Sequence, residues 1–399
     1  MSNANAGPEA TRDAALARLA QFAPSAGKQY AAGRNTDDGP DAPGSVSSLS
    51  PYLRYRVLTE FEVVAAVLDR HRLAAAEKFV QEVLWRTYWK GWLEMRPFVW
   101  TRFLEQRDEQ SAVADAQALA AAEEGTTGID GFDDWARELV ATGYLHNHAR
   151  MWFASIWIFT LRLPWALGAD FFLRHLRDAD QASNTLSWRW VAGLQTVGKH
   201  YLASADNIAR YTNGRFSPRG FAVDAVAIVE PPVGDAQSLP LPMQPDRSAP
   251  SLLLVTQEDL HPESVFTGDP PVRAALVATD RERLWGDCAR SFVGAAGADA
   301  ASRVGVHFGC PTEGRTSLDA ETLIDAARAA GLRQIVTAYA PVGPVADALN
   351  NIGPSLASEG IVLAQVRRTW DEQFWPFAKK GYFPFRERIP ASLRAAGLV

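Results

Sequence analysis

The sequence predicts two unlike halves, an all-α domain followed by an α/β domain built on a parallel sheet. Three observations carry this. From Ala10 to about Phe216, apolar residues recur at helical spacing with no β-branched alternation. Residues 226–250 then hold Pro231, Pro232, Pro240, Pro242, Pro245 and Pro250 among Gly, Ser and Asp, which reads as a linker or a long wrapping loop. From Ser251, short apolar runs (LLLV, AALVAT, VGVHF, QIVTAY, IVLAQV) alternate with helical stretches such as 319–331 and 343–358. Strands alternating with helices make a parallel, Rossmann-like sheet. The expected divisions are therefore 1–225, 226–250 and 251–399.

A chain of 399 residues, 47% hydrophobic and 22% charged, has room for two cores of ordinary globular composition. Cys288 and Cys310 make neither a disulfide framework nor a metal cluster, and they suggest a reducing compartment. No charged-then-apolar leader stands out, and the apolar stretch from Met151 to Leu167 is interrupted by Arg162 and Pro164. The expectation is a cytoplasmic protein, neither secreted nor membrane-inserted. A formal charge of −6 argues against indiscriminate nucleic-acid binding but leaves room for a local basic face. In residues 1–225 arginine far outnumbers lysine, a bias that suits phosphate and carboxylate recognition. The first turn of the α/β half reads TQEDLHPES, without a G-x-G-x-x-G fingerprint, so a cofactor is expected in the helical half.

Within that half, Thr59 and Glu62 form a capping box, and periodicity runs through about 60–95 and 128–162. Four segments carry chemistry. In GSVSSLSP, Ser50 reads as an N-cap with Pro51 at the first helical position, an arrangement that suits phosphate. In QEVLWRTYW, Glu82, Trp85, Arg86 and Trp89 share one helical face. They are either ligand-binding groups in a buried face or a solvated Glu82–Arg86 pair. In GYLHNHARM, Tyr144, Asn147, Arg150 and Met151 share a face, while His146 and His148 diverge and so do not form a metal pair. In DADQASNTLSWRW, Asp178 is matched to Arg150 as its counter-ion, and on a helix Trp188 and Trp190 point roughly 200° apart. Ten of the thirteen tryptophans fall between Trp85 and Trp190. They read as helical core or as a series that passes single electrons outward from a cofactor.

The ordered set KQYAAGRN, SxLSPYLRY, EVLWRTYW, RPFVW, GYLHNHARM, LPW and DADxxxN…WRW resembles the FAD-binding domain of the photolyase/cryptochrome family over about residues 10–192. The resemblance implies an all-α photolyase-like FAD-binding domain. Tyr30, Ser47, Ser48, Leu49, Ser50 and Arg86 would hold the pyrophosphate and ribityl part of FAD. Phe79, Glu82, Tyr144 and Asn147 would also touch the cofactor. Arg150 and Asp178 would form a salt bridge beside the isoalloxazine, and Asp180 would meet its polar edge. Asn184 would face flavin N5, accepting from N5–H without the second negative charge that an aspartate would add. Trp188, Trp165 and Trp100 match the electron-transfer chain, from flavin to surface. Glu82, Trp85, Asn147, Met151 and Trp190 match the pocket that receives a flipped pyrimidine dimer.

Several positions depart from the pattern. Val46 stands where a hydroxyl residue is common, His148 replaces a DNA-contacting arginine, and Thr87 replaces a glutamate. The α/β domain follows the FAD domain instead of preceding it, and QEDLHPES faintly resembles an antenna domain's opening turn. A second, antenna chromophore is compatible with this, although no motif supports one. Lys199, His200, Arg210 and Arg215 are candidates for a DNA-facing rim, against the plainer reading of a solvated helix face. The implied function is light-driven repair of cyclobutane pyrimidine dimers in UV-damaged DNA, that of a deoxyribodipyrimidine photo-lyase. The rivals are a cryptochrome-like photoreceptor signalling through a protein partner and, more remotely, a light-independent flavin redox protein.

Overall fold

The structure, a computed structural model, describes residues 7–42, 44–222 and 224–399. Among these the helical half consists of α1 (Arg12–Phe22), α2 (Lys28–Gly33), α3 (Ser50–Arg54), α4 (Glu60–Leu68), α5 (Leu73–Glu94), α6 (Phe98–Val113), α7 (Ala116–Glu124), α8 (Phe132–Thr142), α9 (Asn147–Ser155), α10 (Trp165–His175), α11 (Gln181–Val191) and α12 (Ala205–Tyr211). The capping box forms as expected: Glu62 N donates to Thr59 Oγ1 at 3.2 Å, and Thr59 N donates to Glu62 Oε2 at 2.9 Å. The two long periodic runs are each broken. Asp69–Arg72 separates α4 from α5, and Gly143, at φ +67°, ends α8 in the left-handed region. A side chain at Gly143 would also meet Cys288 Sγ of the other domain at 3.0 Å. Beyond α9 the helix widens to a π turn at Ile156–Thr160 before Pro164 stops it.

Strands β1 (Ser251–Thr256), β2 (Val272–Ala278), β3 (Thr312–Arg315), β4 (Gln334–Ala338) and β5 (Val362–Val366) form one parallel sheet in the order β3-β2-β1-β4-β5. Leu252 of β1 lies between Ala274 of β2 and Ile335 of β4. The helices of this half are α13 (Asp287–Phe308), α14 (Ala320–Ala329), α15 (Pro344–Ser358), α16 (Thr369–Phe374) and α17 (Tyr382–Ala395). One expected strand is corrected. VGVHF is the last turn of α13, where Val293, Ala296, Ala300 and Val304 are buried at helical spacing and Val306 faces solvent. The third strand is instead the polar edge segment TEGR, which alternation of apolar residues could not reveal.

The two sheet faces have different partners. Leu252, Leu254, Leu276 and Ile335 pack under α14 and α15. Leu253, Val255, Val277 and Val336 face α13, and their core is continuous with that of the helical half. Residues 226–250 are a strap without helix or strand. Glu230 accepts from Arg189 Nη1 (2.9 Å), Gln106 Nε2 (2.9 Å) and Trp165 Nε1 (3.1 Å), and Gln237 N donates to Met95 O at 2.9 Å.

Buried charge joins the halves. Arg54 forks onto Glu258 at 2.7 and 2.8 Å and donates to Gln181 Oε1 at 2.7 Å. Arg56 Nη2 donates to both oxygens of Asp371, at 2.8 and 2.7 Å, with Asp259 and Glu60 each 3.6 Å away. Arg368 forks onto Asp259 at 2.6 and 2.7 Å. On α5, Glu94 accepts from Tyr339 Oη at 2.7 Å and Val342 N at 2.5 Å. No described helix is long and apolar enough to cross a membrane.

Removing one member of such a network strands its partners. Arg56→Met should lower unfolding free energy by ~3–5 kcal/mol, measured by urea titration, because Asp371 and Glu60 lose the guanidinium that lies 2.7 and 3.6 Å from them. Glu94 gives a pH signature. Burial pushes its carboxyl from an ordinary 4.5 up to about 7, against the hydrogen bonds from Tyr339 and Val342. The folded state therefore holds a proton that the unfolded chain has released, and stability must fall as pH rises from 4.5 to about 7. Glu94→Gln should flatten that segment of the melting-temperature profile.

Candidate functional site

Helix α11 packs against both α5 and α9 and brings three of the four chemical segments together, and the fourth joins them through Ser50 beside Asp178. Asp178 and Asp180 lead into α11, where Asp180 is the N-cap and accepts from Ser183 N at 2.8 Å. Arg86 reaches them from α5, bonded to Asp180 and 3.4 Å from Asp178. Arg150 of α9 lies 3.7 Å from Asp178, and Arg54 Nε lies 3.8 Å from Asp180. Burial alone would raise both carboxyls, but it is outweighed. Arg150 and Arg86 hold Asp178 below its ordinary value, while Arg86, Arg54 and Lys90 do the same for Asp180.

The Glu82–Arg86 ambiguity resolves into two long-range partnerships. Arg86 belongs to the aspartates, whereas Glu82 accepts from Arg34 Nη1 at 2.9 Å and Asn147 Nδ2 at 3.3 Å. The Glu82 side chain is 34% exposed, yet burial still raises its carboxyl. A group that is crowded without being covered sits in the wall of a concavity. Trp85, Arg86, Arg150, Met151 and Trp190 are half-buried in the same way, and Asn147 is exposed.

The serine segment differs in detail from expectation. Leu49, not Ser50, is the N-cap of α3, and Pro51 is its second residue. The Ser50 hydroxyl lies beside Asp178 instead, a carboxylate being the stronger acceptor. Ser48 takes a left-handed φ of +56° and is exposed, while Arg18 Nε donates to Ser47 O at 2.8 Å. Leu49, Tyr30 and Phe79 are buried. Tyr30 meets Phe79 edge-on at 5.2 Å, with Arg34 beside its hydroxyl, and burial followed by Glu82 pushes that hydroxyl up. Tyr144 precedes α9 rather than lying within it, with Arg150 5.9 Å over its ring. Asn184 is buried, and its Nδ2 donates to Ala169 O at 2.9 Å. That bond fixes the amide and leaves its oxygen as an acceptor.

Trp188 and Trp190 diverge as a helix requires. Trp188 is enclosed by Phe172 (5.1 Å), Trp157 (6.2 Å) and Phe153 (6.4 Å), while Trp190 stacks on Tyr201 at 5.7 Å. Phe103 stands between Trp165 (5.8 Å) and Trp100 (5.4 Å). The expected surface position of Trp100 is corrected. It is only 2% exposed, because the α/β half covers it and sets Trp285 edge-on against it at 5.5 Å. Along the supposed rim, Lys199 and Arg210 are exposed and His200 is half-buried against Phe159, while Arg215 is engaged with Asp37 at 2.7 Å. His148 lies between Trp152 (5.1 Å) and Tyr211 (5.2 Å), and its ring meets Asn35 O at 3.1 Å. Beyond the C-terminal ends of the paired strands β1 and β4, the crevice lined by Arg54, Gln181, Glu258, Trp285 and Val345 holds about 10 Å³, room for one water.

Sequence reasoning missed Arg34, Arg54, Trp285 and Tyr382. Arg34 and Arg54 lie inside segments already singled out, whereas Trp285 and Tyr382 are placed by the other domain and had no local signal. At Gly168 a Cβ would come within 2.3 Å of Trp188 Cη2 and 2.9 Å of Trp157 Nε1. Gly168→Ala should therefore displace the Trp188 indole, costing ~1–3 kcal/mol in a denaturant titration and shifting tryptophan emission.

The geometry can be set beside known proteins. Residues 79–215 match the FAD binding domain of DNA photolyase. The deoxyribodipyrimidine photo-lyase of Streptomyces griseus is 36% identical over 163 residues, covering 40% of this chain and 35% of the relative. That of Thermus thermophilus is 36% identical over 188 residues, covering 47% and 44%. A class III photolyase structure from Agrobacterium tumefaciens is similar over 50% of this chain and 44% of its own, at 28% identity and a TM-score of 0.43. The chain spans less than half the length of the curated relatives it matches.

Proposed function

We propose that this chain, whose helical half belongs to the photolyase/cryptochrome family, holds FAD in the cradle between α3, α5, α9 and α11 and repairs cyclobutane pyrimidine dimers in DNA under blue or near-UV light. The observation that carries the reading is the crowded but open wall of Glu82, Trp85, Asn147, Met151 and Trp190 next to the buried Asp178 and Asp180 with their half-buried partners Arg86 and Arg150.

The residues present suit FAD. Arg86 and Arg150 offer cations, and Ser47 and Ser50 offer hydroxyls at partly exposed positions. The pinned Asn184 amide presents a neutral acceptor. The chemistry that reduced FAD would supply when bound is light-driven electron donation to the dimer with return of the electron, so no net redox change would result. The chain's own part is positional. Trp85 and Trp190 would stack a planar lesion, and Glu82 and Asn147 would hydrogen-bond its polar edge. Burial raises the Glu82 carboxyl while Arg34 and Arg150 oppose it, and the Arg34 pair at 2.9 Å holds the side chain in place at the pocket wall. Trp188, Trp165 and Trp100 would serve as an internal route by which the cofactor is reduced, its outer member Trp100 covered by Trp285 of the α/β half.

A second reading, a photoreceptor acting through a protein partner, is favoured by the engagement of Arg215 with Asp37 and the inward stacking of His148. Both remove cations from a DNA-facing rim. The deciding experiment follows recovery of thymine absorbance from a thymine-dimer oligonucleotide with chemically reduced protein, in light and in darkness. Light-dependent recovery is expected, and its absence from protein carrying reduced FAD would favour signalling. Trp190→Ala and Glu82→Ala should each cut repair roughly tenfold or more, the scale of one base–aromatic stack or one charged hydrogen bond, while retaining FAD. Loss of flavin from either variant would count against the assignment.

A further inference from the structure

The C-terminal segment returns to α5 after completing the sheet. Trp370 Nε1 donates to Thr87 Oγ1 at 3.0 Å, Tyr88 Oη to Lys380 O at 2.8 Å, and Arg96 Nη2 to Lys379 O at 2.9 Å. Phe385 of α17 packs on Tyr88 at 5.3 Å. At the start of α17, Tyr382 lies flat against Trp85, with ring centroids 3.4 Å apart and planes inclined by 10°. Its hydroxyl donates to Gln81 O at 3.0 Å.

The position of Trp85 on the helix gives this contact a function. At 3.6 residues per turn, Gln81 and Tyr88 fall on one side of Trp85, and Glu82 and Arg86 fall on the other. The first side is where α17 docks, and the second is the cradle. Tyr382 is buried, whereas Trp85 stays half-exposed despite carrying a full aromatic ring on one face. Trp89 also approaches the indole, at 5.4 Å and a 33° tilt, so Tyr382 is the flat partner and Trp89 the inclined one.

We propose that Tyr382 is a positioning residue for the candidate lesion pocket, backing Trp85 so that its free face is presented, already oriented, to an extruded planar pyrimidine dimer. The proposal rests on the pocket reading given above. An unsupported indole on a helix surface samples several rotamers, and ordering it on binding lowers affinity. An indole held flat against a second ring has lost that freedom during folding. The dimer would then be the third layer of a stack begun by Tyr382. Because the clamp comes from the domain that follows the helical half, docking of that domain tunes recognition without touching the DNA.

The test compares Tyr382→Leu, Tyr382→Met and Tyr382→Phe with the native protein. The readout is the ratio of dissociation constants for a single-stranded oligonucleotide carrying one thymine dimer and for its undamaged counterpart, in darkness. FAD absorbance and melting temperature are followed in parallel. The Leu and Met variants should each lose about threefold to tenfold in that ratio, with undamaged-strand affinity and its salt slope unchanged. Phe keeps the ring and should restore the native ratio. Met fills the volume without stacking, which guards against a Leu variant that fails to fold. Native discrimination in a folded Leu or Met variant overturns the proposal and leaves the pocket reading standing. Equal weakening on both strands also overturns it. If the native protein itself does not prefer the dimer strand, the pocket reading fails and this inference fails with it.

Discussion

Two arginines two residues apart determine how the halves of this molecule meet. Arg54 and Arg56 leave the end of α3 and pass into a region with almost no access to water, where Glu258, Asp259 and Asp371 of the α/β half receive them. Burying this much charge adds little net stability, since desolvation consumes most of the attraction. Its effect is on geometry, because a fork of fixed shape between carboxylates tolerates few alternative dockings. Arg54 also lies 3.8 Å from Asp180, so the cradle's acidic pair and the C-terminal end of β1 share one cation. The site and the domain interface are thus a single electrostatic unit, and α5 runs along its length.

The dependence explains why some features were legible in sequence and others were not. The capping box at Thr59, the break to a parallel sheet after Ser251 and the divergence of Trp188 from Trp190 follow from spacing, and they stand in the structure. VGVHF misled because alternation over five residues also fits the end of a long helix, where Gly309 provides the stop. Glu82 and Arg86 could not be assigned from their own helix, since the partners that separate them come from Arg34 and Asp180. Trp100 looked like an outlet to solvent only because a helix considered alone cannot show what covers it. For Tyr382 and Trp285 there was nothing to read: their roles arise from docking across hundreds of residues.

The strap at 226–250 had two readings, a flexible tether or a wrapping segment, and its contacts favour the second. Glu230 gathers a guanidinium, a carboxamide and an indole N–H, and further contacts run to Met95 and, through Arg367, to Pro240. Proline-rich composition is suited to this, since its backbone has little freedom to lose and few N–H groups to satisfy. The strap lines one flank of α6 and α10 with a fixed carboxylate, close to the tryptophans that the helical half contributes.

The return of α17 onto α5 also sets an order of events in synthesis. A ribosome releases α5 long before residues 369–395 exist, so the helix must wait with Trp85 and Tyr88 uncovered until about three hundred further residues have been made. Contacts of that sequence separation are the slowest to form, and apolar surface left open in the meantime invites association with other chains. The helical half would emerge as an unfinished body in need of shelter, and a chain arrested before α17 would leave one wall of its cradle without backing.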